Sequence, residues 1–226
     1  MTSTSRSRAK EYYRNAAGQI IPSTTTVLGA VLAKPALVKW ANRLGLQGVD
    51  SDKYKDELAD IGILTHYFIM CRLSDEVPDV SNFTPAQVEQ AQACYLKYID
   101  WEEKNPVRPL MVEERLVSEK YQYGGQPDLY ALSNGKFILV DFKTNAKGIF
   151  DEMVFQVAAY EGLLIEHGFK VNEATMLRIG RSDPEGFEEK ILTRSELDLG
   201  FEIFLRCLDI YQLKRGKAPI CTTVNR

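Results

Sequence analysis

The sequence lacks the features that mark several protein classes. No apolar run approaches the ~18 residues of a membrane span. The four cysteines, Cys71, Cys94, Cys207 and Cys221, form no CxxC pair. A zinc knuckle and a disulfide scaffold are therefore not expected, and reduced thiols in a cytoplasmic protein are. The first ten residues are rich in Ser, Thr and Arg and have no apolar core. A secretory signal needs such a core, and a transit peptide is usually longer. No internal repeat and no low-complexity linker interrupts the chain. The net charge of −3 is too small to announce a nucleic-acid binder by itself.

What remains is an ordinary globular composition. The 226 residues are 45% apolar and 26% charged, enough for one large domain with a sizeable core. Charge is unevenly placed along that domain. Residues 1–55 hold nine Lys/Arg against three acids, a net of +6. Residues 214–226 hold four bases and no acid, a net of +4, which leaves −13 on 56–213. Basic ends around an acidic middle suit a protein that grips a polyanion and holds cations at a carboxylate centre. An unevenly charged solvated surface fits the same numbers.

The spacing of apolar residues predicts a mixed α/β fold. Residues 12–21 read as a short hairpin or extended lead-in. Residues 24–45 read as two helices broken near Lys34-Pro35, and 52–73 as a longer one. Thr84-Pro85 opens a helix that runs to about Lys104. Strands follow at 110–121, 126–133 and 136–143, then a helix at 149–167, then strands at 171–180 and 186–192. Thr193 with Glu196 makes a capping box for a last helix. One sheet with helices packed on it accommodates this order. The parts are a helical region over 1–105, a sheet-and-helix core over 106–215 and a basic tail over 216–226.

The run GGQPDLYALSNGKFILVDFKT carries the chemistry. Asn134-Gly135 signals a two-residue type I′ turn, because both central residues need positive φ. Counting outward from that turn, Ser133 pairs with Lys136 and Asp128 falls opposite Asp141. Directly opposed side chains lie about 4.5–5.5 Å apart at Cβ. Two buried carboxylates so placed need a shared proton or a bridging cation. Lys143 shares the face of Asp141. The other residues of the strand are apolar on both faces, so it should be central. Such a cluster suits metal-assisted hydrolysis, with carboxylate and carbonyl oxygens holding Mg²⁺ or Mn²⁺ and the metal activating a water.

These residues resemble the PD-(D/E)XK nuclease superfamily: Pro127-Asp128, twelve residues, then Asp141-Phe142-Lys143. Gln156 and Tyr160 match the Q-x-x-x-Y helix of its RecB-like branch. Gly62 and His66 match the G-x-x-x-H helix. The run IPSTTTVLGAVLAKPALVKWA is similar to the lead-in of phage exonucleases and of the mitochondrial genome-maintenance exonuclease family. The resemblance covers about 20–165. It implies a restriction-endonuclease-like core, a central mixed sheet flanked by helices, with a helical N-terminal region. It also implies metal ligation by His66, Asp128, Asp141 and the Phe142 carbonyl. Lys143 would act on the attacking water and the scissile phosphate. Gln156 would position water or phosphate, and Tyr160 would support it or touch substrate. Glu114, in the run VEERLVSE, is a further candidate ligand.

The implied activity is a metal-dependent DNA exonuclease of phage-type recombination, repair or replication, in a bacterial or phage-infected cytoplasm. Lys34, Lys39, Trp40 and Arg43 would contact DNA. A single-strand annealing or replication protein would suit as partner, as would further copies of the chain, and no membrane is implied. The cysteine spacing departs from the iron–sulfur members of the branch, so no cluster is expected. A structure-selective endonuclease, an RNA hydrolase and a DNA-binding module that has lost cleavage remain open on the residues alone.

Overall fold

The computed structural model describes residues 12–219. The Ser/Thr/Arg-rich start, Cys221 and the rest of the basic tail beyond 219 lie outside them. A short hairpin opens the described chain, β1 (Tyr13–Arg14) with β2 (Ile20–Ile21). Ser23 caps α1 (Thr24–Val31) by accepting from the Thr26 amide. Pro35 then starts α2 (Pro35–Leu46) at the position where its missing N–H is not needed. Asp50 caps α3 (Ser51–Leu73) through the amides of Asp52 and Lys53. Thr84 and Gln87 form a capping box that opens α4 (Pro85–Lys104). A cap of this kind is worth about 1 kcal/mol.

The strand region is more broken than the sequence pattern predicts. The stretch read as one strand over 110–121 is β3 (Val107–Val112) and β4 (Leu116–Ser118), separated by a bend. Upstream of β6 (Leu129–Ser133) lies β5 (Tyr123–Gly125), which pairs with β4 in a separate two-stranded sheet. The cause is local. The pairing of β3 with β6 slips between Pro109 and Met111, and Glu113 then adopts φ +48°. A bulge followed by a left-handed residue turns the chain out of the sheet.

The turn at Asn134-Gly135 forms as expected, with φ of +48° and +77°. It sets Ser133 opposite Lys136, and the register runs from there to Leu129 opposite Val140 on β7 (Lys136–Lys143). β7 and β8 (Glu173–Ile179) are parallel, so a crossover must join them, and α5 (Asp151–Glu166) supplies it. β9 (Phe187–Leu192) returns antiparallel to β8, and the Thr193–Glu196 capping box opens α6 (Arg194–Lys214).

The main sheet has the order β3-β6-β7-β8-β9, with β7 in the middle. Its two faces carry separate cores. Leu139 packs with Tyr130, Met176 and residues of α1, α5 and α6. Ile138, Val140 and Phe142 pack instead with Ile69 of α3 and with Tyr98 and Trp101 of α4. Burial on both sides explains why β7 reads as a continuous apolar run rather than an alternating one. The chain thus forms the expected mixed α/β architecture, a central mixed sheet flanked by helices beside a helical N-terminal region. Cys71, Cys94 and Cys207 are buried free thiols. No helix among the described residues is long and apolar enough to cross a membrane.

Candidate active site

Asp128 lies one residue before β6, where the ladder with β7 ends. Its Oδ2 accepts a hydrogen bond from the Phe142 amide at 2.7 Å. Its backbone carbonyl accepts from the Glu113 amide at 3.0 Å, which fastens the bend after β3 to the same point. Asp141 on β7 is fully buried, at 0% exposure, and among the described residues its carboxylate meets no donor other than the Lys143 ammonium. Lys143 approaches Asp141 Oδ2 to 2.6 Å as an ion pair.

Burial and charge set the protonation states. Desolvation pushes the Asp141 carboxyl up to about 6, against the pull of the Lys143 cation and with the help of Asp128. Desolvation also raises Asp128, opposed by Lys143 and the Phe142 amide. For Lys143 desolvation acts to lower the pKa, yet Asp141 and Asp128 outweigh it and the net shift is upward. His66 moves down, first through burial and then through the Lys143 charge. A neutral imidazole is the form that ligates metal.

His66, Glu113 and Asp128 each offer a ligand atom, and these atoms lie within 4.8 Å of one another. His66 Nδ1 stands 3.8 Å from Asp128 Oδ1, and the ring meets Phe142 edge-on at 5.8 Å. Glu113 is the acid that lies with His66 and Asp128, whereas Glu114, the residue singled out in the sequence, is exposed to solvent. The bend that begins at Glu113 decides which of the two adjacent acids faces the site. Asp141 lies outside this group of three, on the neighbouring strand. One imidazole nitrogen, two carboxylates and the Asp141 carboxylate beside them make a donor set that suits a hard divalent cation.

Gln156 and Tyr160 lie one turn apart on α5, and Gln156 Nε2 donates to the Tyr160 hydroxyl at 2.8 Å. Tyr160 is buried, and its hydroxyl is held protonated by desolvation and then by Asp141 and Asp128. It lines an open cleft of about 1710 Å³ together with His66, Glu113, Asp128, Lys34 and Trp40. Lys34 makes a 3.0 Å ion pair with Glu152 at the start of α5. Trp40 packs on Tyr54 with ring centroids 6.1 Å apart. Lys39 and Arg43 are exposed on α2 outside the cleft wall. Arg181, which no sequence motif singles out, also lines the cleft.

No model of a known protein family matches the chain, and no curated protein matches it in sequence. Solved structures resemble it weakly. A candidate exonuclease from Eubacterium rectale aligns at 9% identity over 70% of this chain and 69% of its own, with a TM-score of 0.45. An alkaline exonuclease from Laribacter hongkongensis aligns at 16% identity over 70% of this chain and 89% of its own, with a TM-score of 0.34. The complex of that enzyme with dAMP gives 16% identity, 71% and 90% coverage, and a TM-score of 0.33. Likenesses of this size concern the arrangement of the backbone alone.

Proposed function

We propose that the protein is a DNA exonuclease that hydrolyses phosphodiester bonds with the help of Mg²⁺ or Mn²⁺. The observation that carries this reading is the convergence of His66, Glu113 and Asp128 within 4.8 Å, beside a fully buried Asp141 paired with Lys143. Structural ion pairs rarely gather three ligating groups at the wall of an open cleft beside a buried carboxylate whose one partner among the described residues is a lysine. A cation bound there would lower the pKa of a water and neutralise charge on a phosphoryl oxygen.

The protein's own groups divide the remaining work. His66 offers a neutral nitrogen, and Glu113, Asp128 and Asp141 offer negative oxygen. The Phe142 amide holds the Asp128 carboxylate by one of its oxygens. Lys143 stays cationic, with donors to orient a water and to stabilise charge that develops on the phosphate. Tyr160 fixes the Gln156 amide, which makes Gln156 a positioning residue. Lys34 and Trp40 in the cleft wall, with Lys39 and Arg43 beyond it, would meet the DNA strand.

In this reading residues 1–226 form one nuclease domain of a cytoplasmic protein serving phage-type recombination, repair or replication. The test is direct. Purified protein is incubated with 5′- and 3′-labelled linear DNA and with covalently closed circles, in Mg²⁺, Mn²⁺ and EDTA. Metal-dependent degradation of linear DNA is expected, lost in Asp141→Ala and Lys143→Ala, with closed circles left intact. Nicked or linearised circles would mean an endonuclease. Binding without turnover in either metal would overturn the enzyme reading in favour of a DNA-binding module.

A further inference from the structure

We propose that Arg181 grips an internal phosphate of the nucleic-acid strand, beside the one being cleaved. The inference rests on the nuclease reading and names a substrate contact within it. Arg181 follows β8 by two residues. β8 runs parallel to β7 with Arg178 opposite Lys143, so Arg181 emerges from the same end of the sheet as the Asp141–Lys143 pair. It lines the same cleft as His66, Glu113 and Asp128.

The two arginines of this stretch are used very differently. Arg178 donates from Nε to Glu188 at 2.9 Å and from Nη1 to the Glu185 carbonyl at 2.8 Å. Arg181 has only 12% of its side chain exposed, yet its guanidinium donates no hydrogen bond among the described residues. Among the described residues its carboxylate partner is Glu185, with Nε 3.6 Å from Oε2. A largely buried guanidinium whose one counter-charge among the described residues stands at 3.6 Å, beyond hydrogen-bond reach, is costly unless a further anion completes it. Its planar fork of five donors matches phosphate oxygens.

The loop that presents Arg181 is firmly built. Lys97 Nζ donates to the carbonyls on both sides of it, Gly180 at 2.8 Å and Ser182 at 2.9 Å. The Arg181 amide donates to Glu185 Oε2 at 2.7 Å, and the Gly180 amide to the Gly186 carbonyl at 2.9 Å. A Cβ on Gly180 would stand 2.5 Å from that carbonyl, so the loop closes on itself only with glycine there. The guanidinium is thus aimed before any ligand arrives, which lowers the ordering cost of binding.

Equilibrium binding tests the contact without turnover. Fluorescently labelled oligonucleotides, single- and double-stranded, with 5′-phosphate or 5′-hydroxyl ends, are titrated in EDTA across a series of KCl concentrations. Arg181→Met should weaken binding about tenfold, a typical loss for a charged hydrogen bond. It should also lower the slope of log Kd against log salt by about 0.7–0.9, the value for one phosphate contact. Arg181→Lys should keep the slope and lose several-fold in affinity. Arg206→Ala, on the exposed face of α6, should change neither. In Mg²⁺ or Mn²⁺, Arg181→Met should raise KM more than it lowers kcat.

A folded Arg181→Met protein with the wild-type slope and KM would overturn the proposal. So would a loss confined to 5′-phosphorylated strands, which would assign a terminal phosphate instead. Should Arg181→Met fail to fold, unchanged affinity and KM in Arg181→Lys would overturn it. Wild-type protein that cleaves nothing in either metal would overturn the nuclease reading, whereas cleavage with an indifferent Arg181 would overturn this contact alone.

Discussion

A Cβ added to Gly62 would stand 2.5 Å from the Thr144 hydroxyl. α3 therefore passes the end of β7 so closely that a side chain at residue 62 would displace the Thr144 hydroxyl, and His66 lies one turn further along the same face. Gly62→Ala adds helix propensity worth about 1 kcal/mol but forces Thr144 or α3 to move. Stability should change little while cleavage falls by about tenfold or more, since small misplacements of site groups are costly. Thr144→Ala in the same protein should restore much of the loss. Equal losses in the single and double variants would show that the close approach does not position His66.

Glu113 and Glu114 should separate cleanly. Isothermal titration with Mn²⁺ should show Glu113→Gln weakening binding by about tenfold or more, and Glu114→Gln leaving it unchanged. The reverse order would mean that the bend after β3 places the other acid in the site.

Lys143→Met leaves the Asp141 carboxylate buried and unpaired. Urea unfolding at neutral pH should show a loss of about 3–5 kcal/mol, the usual cost of breaking a buried pair. Asp141→Asn combined with Lys143→Met should recover most of that stability while remaining inactive. A double variant as unstable as the single would mean that packing of the lysine stem, not charge, supports this strand.

Glu196 governs part of the acid stability. The hydrogen bond from Lys190 holds its carboxyl down to about 2, together with the Thr193 amide and hydroxyl. A depressed folded pKa contributes stability that is complete above the ordinary value of 4.5 and is lost as pH falls through about 2. The stability gap between wild type and Glu196→Gln should be constant from pH 7 to 5 and shrink between 4.5 and 2. A gap independent of pH would assign the effect to geometry of the cap instead.

The legible parts of the fold are those written in local chemistry. Asn134-Gly135 demands one turn type, and that turn aligns β6 with β7 through residue 129. Thr84, Thr193 and Pro35 mark helix starts because their side chains satisfy or remove orphan amides. The long strand at 110–121 was legible only in outline, because nothing in MVEERLVSE reveals a slip at Pro109–Met111 or a left-handed Glu113. That one bend sets Glu113 beside His66 and Asp128 and leaves Glu114 exposed. Arg181 has no motif either, since its setting depends on Lys97 and Glu185 meeting around a loop after folding. The register of the Asn134-Gly135 turn also brings Asp128 across from Asp141, whereas His66, Gln156 and Tyr160 stand out only by resemblance, and the approach of His66 to Asp128 depends on the packing of α3 onto the sheet.

The strand that carries Asp141 and the helix that borders the cleft differ in how firmly they are held. β7 lies at the centre of the sheet, with both faces covered. α2 has no buried residue, and Leu46 at its end is 82% exposed. Its ties include the Lys34–Glu152 pair and the Trp40–Tyr54 contact. Segments with few buried contacts open at a small fraction of the global unfolding free energy. Amide protons of α2 should exchange orders of magnitude faster than those of β7. On warming, such a molecule loosens its entrance while its carboxylates still stand in register, so in the proposed nuclease the hold on a long strand would fade before the chemistry does.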